Sequence, residues 1–164
     1  MTSSAPAVVV AALHRYGLER DRLRTALARV LEIPIADLDA LEHLELAGPL
    51  SQRELAERLL LTSGAVTVLV DRLQSAGLVT REPHPTDRRV SLVHLVADAQ
   101  LPDMPELQRH HAAIRNAASR LAADARGSAT TFLTDVTDSA ALATERLRSA
   151  APTRRHARGA NKGA

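Results

Sequence analysis

The chain has no cysteine and no tryptophan, and Tyr16 and Phe132 are its only aromatic residues. Without thiols there can be no disulfides, thiolate metal sites or cysteine redox switches. With so few rings, the stacking platforms that hold single-stranded nucleic acid are missing. The core has to be built from Leu, Val, Ile and Ala. Long apolar runs are absent too, since none approaches the ~20 residues a membrane span needs. The stretch "APAVVVAAL" is short, lacks a basic segment before it, and leads into "HRYGLERDRLR" rather than a cleavage site. A cytoplasmic protein with no membrane contact is the expectation. No Ser–His–Asp spacing, Gly-rich phosphate loop or converging carboxylates stand out, so neither an enzyme nor a cofactor is expected.

An apolar content of 45% in 164 residues is enough for one domain core. The net charge of +2 hides an asymmetry. Residues 151–164 hold Arg154, Arg155, Arg158 and Lys162 and no acid, so the rest of the chain is slightly negative. That stretch reads as a basic, disordered tail. Any nucleic-acid reading must rest on where the other cations sit, not on their sum.

Residues 7–32 read as a long helix carrying Leu13, Tyr16, Leu23, Leu27, Val30 and Leu31, with Gly17 as a weak point. Pro34 suits the first turn of the next helix, "IADLDALEHLELAG", which has Leu38, Leu41, Leu44 and Leu46 and stops at Gly48-Pro49. Its acids Asp37, Asp39, Glu42 and Glu45 make it the helix least suited to DNA. "SQRELAERL" opens with a capping box, Ser51 with Glu54. Thr62 is an N-cap candidate for "SGAVTVLVDRLQSAG", which buries Val66, Leu69, Val70 and Leu73 and ends at Gly77. Two helices joined by a turn of a few residues form a helix-turn-helix pattern. "LVTREPHP" and "RVSLVHLVA" then read as two strands around a charged tip. Beyond Pro105, Leu107, His111, Ile114, Ala118, Leu121 and Ala125 suggest one helix with a heptad-like seam, and Phe132, Val136, Ala140, Ala143 and Leu147 a second.

In a helix-turn-helix the N-terminal part of the second helix meets the major groove. With the apolar face turned inward, Ser63, Gly64, Ala65, Thr67 and Val68 lie outward, beside Thr62. A solvated surface would favour Glu, Lys and Gln, and this one is small and uncharged. Ser and Thr can bond base edges or phosphates, while Ala, Val and the Thr methyl can meet thymine methyls. Arg72 is either a phosphate contact or a surface ion pair, and Arg53 is a similar phosphate candidate.

The order of elements resembles the MarR family of winged helix-turn-helix transcription regulators. The resemblance is carried by "GPLSQRELAERLLLTSGAVTVLVDRLQSAGLV" and "REPHPTDRRVSLVHL", above all by Gly77-Leu78-Val79, Arg81 and the Asp87-x-Arg89 pattern. It departs from the family at Leu95-Val96 with Ala99, where Leu-Thr and then Gly are usual, and at Val68, where many members carry arginine. The fold implied is mainly α with a small β-hairpin wing, flanked by N- and C-terminal dimerisation helices. The organisation implied is 1–33 for the N-terminal dimerisation helix, 34–97 for the DNA-binding domain, 98–150 for the C-terminal dimerisation helices and 151–164 for the tail. The function implied is a homodimeric regulator, a repressor by analogy, on a palindromic double-stranded DNA site. A small-molecule effector would release it. Asp87 would brace the wing, by pairing with Arg89 or by capping the turn. Arg89 would enter a minor groove, and Arg81 and Arg88 would attract phosphates.

The chain has seven histidines. Adjacent His110 and His111 diverge by ~100° on a helix, unlike chelating i,i+4 pairs, and no ligand set emerges, so no metal site is assigned. His111 and Tyr16 are candidates for an effector pocket, with interface and core roles as the plainer alternatives. Two other functions stay open: a metal-sensing regulator, and a winged-helix interaction module without DNA binding. The second is encouraged by the acidic helix and by the near-neutral charge of 51–96.

Overall fold

The structure is a computed structural model, which describes residues 5–87, 89–97 and 104–150. Arg88 and the tail expected over 151–164 lie outside the described residues. The chain divides into two compact units, Met1–Asp103 and Met104–Ala164.

In the first unit, α1 (Ala5–Val30) runs through Gly17 without a break, where the open space around the glycine asks nothing of its backbone. Its C-terminal half is tied to α2 (Ile35–Ala47) by Arg24, which pairs with Asp39 and with Glu42 at 2.9 Å. The helix expected to serve dimerisation is therefore anchored to the helix-turn-helix unit. Pro34 caps α2 in extended conformation, and Gly48 ends it at φ +77°, a backbone angle that favours glycine. Leu38 and Leu44 are buried as the spacing predicts, whereas Leu46 is 86% exposed.

The capping box forms as expected at the start of α3 (Gln52–Leu59). The Ser51 hydroxyl accepts from the Glu54 amide at 3.2 Å, and the Glu54 carboxylate accepts from the Ser51 amide at 2.8 Å. The Ser51 hydroxyl also donates to the Glu54 carboxylate at 2.7 Å, and this bond, with the one from the Ser51 amide, holds the Glu54 carboxyl below its ordinary pKa. The helix closes at Leu60, which takes φ +55° in the left-handed region. Thr62 then caps α4 (Ser63–Ser75), its hydroxyl accepting from the Ala65 amide at 3.3 Å. Gly77, at φ +70°, turns the chain out of α4.

Two strands were expected, and the structure has a third. Strands β2 (Val79–Pro83) and β3 (Ser91–Leu95) form the wing, and the short β1 (Leu50–Ser51) pairs with the other side of β3, giving the order β1-β3-β2. Leu50 lies opposite Val93, and Arg81 lies opposite Val93 on the other flank. Two residues, the second of them the N-cap of the capping box, carry no periodicity, so β1 had no sequence signal. It matters because it ties the wing to the start of α3. The core then closes around Ala40, Leu44, Leu50, Leu55, Val66, Leu69, Val70, Leu73, Leu78, Val79 and Val93. Helix α4 thus supplies its whole inner face to one cluster with the sheet, so the recognition helix and the wing share a foundation.

The second unit consists of α5 (Pro105–Ser119) and α6 (Ala123–Ala150). The continuous seam expected from Leu107 to Ala125 is broken. The Leu121 amide bonds the Ala118 carbonyl, and the Ala122 carbonyl accepts from Arg126 to begin a new helix. Leu121 and Ala125 therefore do not continue the face of Leu107. No glycine or proline marks the break. The only local signal is Asp124, an acid in the first turn of α6, where the helix dipole favours negative charge. Neither helix contains a buried residue.

Candidate nucleic-acid interface

Spacing explains the two faces of α4. Val66, Leu69, Val70 and Leu73 are buried, which leaves Ser63, Gly64, Ala65, Thr67, Val68, Asp71 and Arg72 exposed on the opposite side. Every residue of the outward set predicted from the sequence, Thr62 included, is exposed, and the charged Asp71 and Arg72 extend it toward the C-terminus. Within it the polar groups are not equally available. Thr67 donates to the Ser63 carbonyl at 3.0 Å, and its hydroxyl also lies 3.1 Å from the Gln52 amide. Gln52 is satisfied on both sides when its NH2 faces Thr67 and its oxygen faces Arg81 Nε and NH2, at 3.1 and 3.2 Å. A polar brace thus runs from α4 through α3 to β2.

The arginines are mostly engaged. Arg72 binds Asp37 in a fork, Nε to Oδ2 at 2.6 Å and NH2 to Oδ1 at 2.5 Å. It is an ion pair, as one alternative had it, but the carboxylate is fully buried at 0% exposure while the Arg72 side chain remains 46% exposed. These hydrogen bonds push the Arg72 guanidinium pKa further up, so it stays charged. A buried carboxylate that receives two charge-assisted hydrogen bonds is far cheaper than one left alone. The pair joins α2 to α4 and orients the recognition helix from behind. Arg81 bonds Asp71 and Gln74, each at 2.5 Å, and so clamps β2 to α4. Arg53 pairs with Glu57 one helical turn away at 3.0 Å in full solvent, a contact of the weak kind that a phosphate can replace.

The wing tip is built by hydrogen bonds rather than burial. His84 and Val90 close the hairpin, N–H to carbonyl at 3.0 Å, and the Val90 amide reaches the Asp87 carbonyl at 3.0 Å. Asp87 caps the turn: its Oδ1 accepts from the Arg89 amide at 3.0 Å. Of the two roles expected for Asp87, capping is the one the structure shows. The His84 Nδ1 accepts from the amides of Thr86 at 3.3 Å and Asp87 at 3.2 Å. The wing therefore holds its shape through two side-chain acceptors. Arg89 is exposed, and its guanidinium has no hydrogen-bond partner among the described residues.

His84 and Asp37 were missed as organising residues. His84 stands between Pro83 and Pro85, a position that reads as a loop. Asp37 is 35 residues from Arg72, so nothing local announces the pair. Tyr16 on α1 and His111 on α5 are both exposed, and they belong to separate units. The ring of His110, not His111, is the half-buried one, with the two centroids 6.1 Å apart. Among the described residues no group of three or more His, Cys, Asp or Glu converges, and no helix is long and apolar enough to cross a membrane.

A helix-turn-helix, a recognition helix with an uncharged outer face and a hydrogen-bonded wing define a winged-helix protein. The profile of the MarR family matches residues 31–90. A Bacillus subtilis protein described as an uncharacterized HTH-type transcriptional regulator, YcgE, is 45% identical over 73 residues, which is 44% of this chain and 47% of that protein. The Escherichia coli multiple antibiotic resistance protein MarR is 34% identical over 83 residues, 51% of this chain and 58% of that protein. The chain thus matches about half the length of these curated relatives. The crystal structure of RV1404 from Mycobacterium tuberculosis is 28% identical, covers 84% of this chain and 95% of its own, and superposes with a TM-score of 0.55. A MarR family protein from Bacillus stearothermophilus shares the fold, with a TM-score of 0.57 at 18% identity, over 86% of this chain and 99% of its own. The chain is thus similar to MarR family regulators over residues 31–90 and shares their fold.

Proposed function

We propose that the protein is a DNA-binding transcriptional regulator that works as a homodimer on a palindromic duplex. The single observation that carries the reading is the pairing of an exposed α4 face, uncharged from Ser63 to Val68, with a braced wing on one buried foundation. That arrangement suits α4 in a major groove, with Ser63, Gly64, Ala65 and Val68 toward the bases. Arg89 at the wing tip suits the flanking minor groove, and Arg53 suits phosphates. Dimerisation is supported by α5 and α6, which bury nothing by themselves while exposing Ile114, Leu133, Leu142 and Leu147. A two-fold dimer would place half-sites about 10 bp apart. Repression, and release by a small-molecule effector near Tyr16 or His111, follow from the family alone, and the cytoplasm is the expected compartment.

The test is selection of duplexes from a random pool by the full chain, followed by a salt series. A recovered palindrome, with affinity falling linearly in log salt, supports the proposal. A second reading, an interaction module without DNA binding, is favoured by the three arginines already held in ion pairs. It predicts no duplex retained even at low salt.

A further inference from the structure

The outer face of α4 contains a residue with no local reason to be there. Val68 is 60% exposed, so it stabilises little by burial. As a β-branched residue it also loses side-chain freedom in a helix that Lys, Glu or Gln would not. It follows Gly64 by four residues and Ala65 by three, so the three share one stripe. The donors that read guanine are withdrawn from this face. Arg72 is forked onto Asp37, Arg81 is held by Asp71 and Gln74, and the Thr67 hydroxyl is spent on Ser63 and Gln52. What α4 offers is the Ser63 hydroxyl and the methyl groups of Ala65 and Val68.

Resting on the reading that α4 enters a major groove, we infer that Val68 is a specificity-determining residue that reads the 5-methyl group of thymine, with Ala65 beside it. That methyl is the one apolar group that the four standard bases present in the major groove. The edges of guanine, adenine and cytosine there carry hydrogen-bonding atoms, and covering those with valine removes water without replacing its bonds. The half-site core should therefore hold thymine against Val68, with guanine excluded there. A 5-methylcytosine carries the same methyl and should be accepted where cytosine is not.

The experiment takes the duplex selected by the full chain and replaces its thymines by deoxyuridine one position at a time. Each replacement removes only a methyl group. One or two positions per half-site should weaken binding about fourfold each, or about fifteenfold when both half-sites are changed. Val68→Ala, with helical content unchanged, should bind thymine and deoxyuridine duplexes alike at those positions. Val68→Arg should move the preference there toward guanine. Cytosine in place of the sensitive thymine should weaken binding, and 5-methylcytosine should restore part of it. If specific binding persists but every deoxyuridine duplex binds as well as its thymine parent, the inference fails while the proposed function stands. If no duplex is retained at low salt, the proposed function fails first and takes the inference with it.

Discussion

The two units are made from the same kinds of residue and reach opposite results. Helices α2 to α4 and the sheet bury their leucines and valines in one cluster, with Asp37 as the one buried charge among the described residues. Helices α5 and α6 carry a thinner supply, seven Leu, Ile, Val and Phe residues, and none of it is buried. The difference is geometric. Short helices joined by tight turns can meet a sheet from several sides, whereas α5 and α6 have no sheet or third helix among the described residues of their unit to close over them. The first unit has the interior of an independent domain. The second leaves its apolar residues exposed, as the proposed dimer would require.

Breaking the first unit should cost most. Arg72→Ala leaves the Asp37 carboxylate buried without its partner, and should destabilise the unit by about 3–5 kcal/mol. Asp37→Ala should cost less, because Arg72 is half-exposed and can turn to water. Urea titration of both variants checks the order, and equal losses would mean that the pair does not orient α4 in the way described.

Leu55→Ala, at a fully buried position, should cost about 2–5 kcal/mol. Ile114→Ala on α5, where the side chain is exposed, should leave urea unfolding of the first unit unchanged and instead weaken self-association. Denaturation curves beside sedimentation-equilibrium masses across protein concentration separate the two effects. An Ile114→Ala chain with wild-type association would show that the second unit meets its partner elsewhere.

Arg89→Ala sharpens the comparison from the surface of the first unit. It should remove about 1–3 kcal/mol of duplex affinity per contact without changing stability. Asp87→Ala should cost less, since it loosens the tip without removing the cation. Gel-shift affinities in moderate salt, with circular dichroism as the folding control, decide it. Wild-type binding by Arg89→Ala would make the tip an ordinary solvated turn.

The smallest effect concerns pH. Burial, then the charge of Arg58, hold the His43 pKa below its ordinary value. The unfolded chain therefore takes up more protons than the folded one, so stability is fullest above the ordinary histidine range and falls as pH drops through it. Thermal unfolding should show a shallow loss from pH 7 toward pH 5, and His43→Gln should flatten it. The effect belongs to the first unit, where His43 resides.

How much of this was legible in the sequence follows the range of each interaction. The capping box at Ser51 and Glu54, the Thr62 cap, the Gly77 turn and the inner face of α4 were all readable, because each is settled within about one turn of chain. The exposed face of α4 followed by complement. Local spacing alone failed at Leu46, which keeps the helical rhythm but points to water. It failed again near Leu121, where a heptad pattern continues across a break.

The sequence by itself determined the helix-turn-helix and the wing, and with them the family resemblance, since these rest on local propensity and on caps a few residues apart. Only the tertiary structure decided which charges remain for a partner. Arg72, Arg81 and Arg89 look alike in the chain. The first is held by a carboxylate on α2, the second by Asp71 and Gln74 on α4, and the third is left at the hairpin tip. A charge is made available or withdrawn by what folding brings within about 3 Å of it, and no spacing rule in the chain reaches from Asp37 to Arg72.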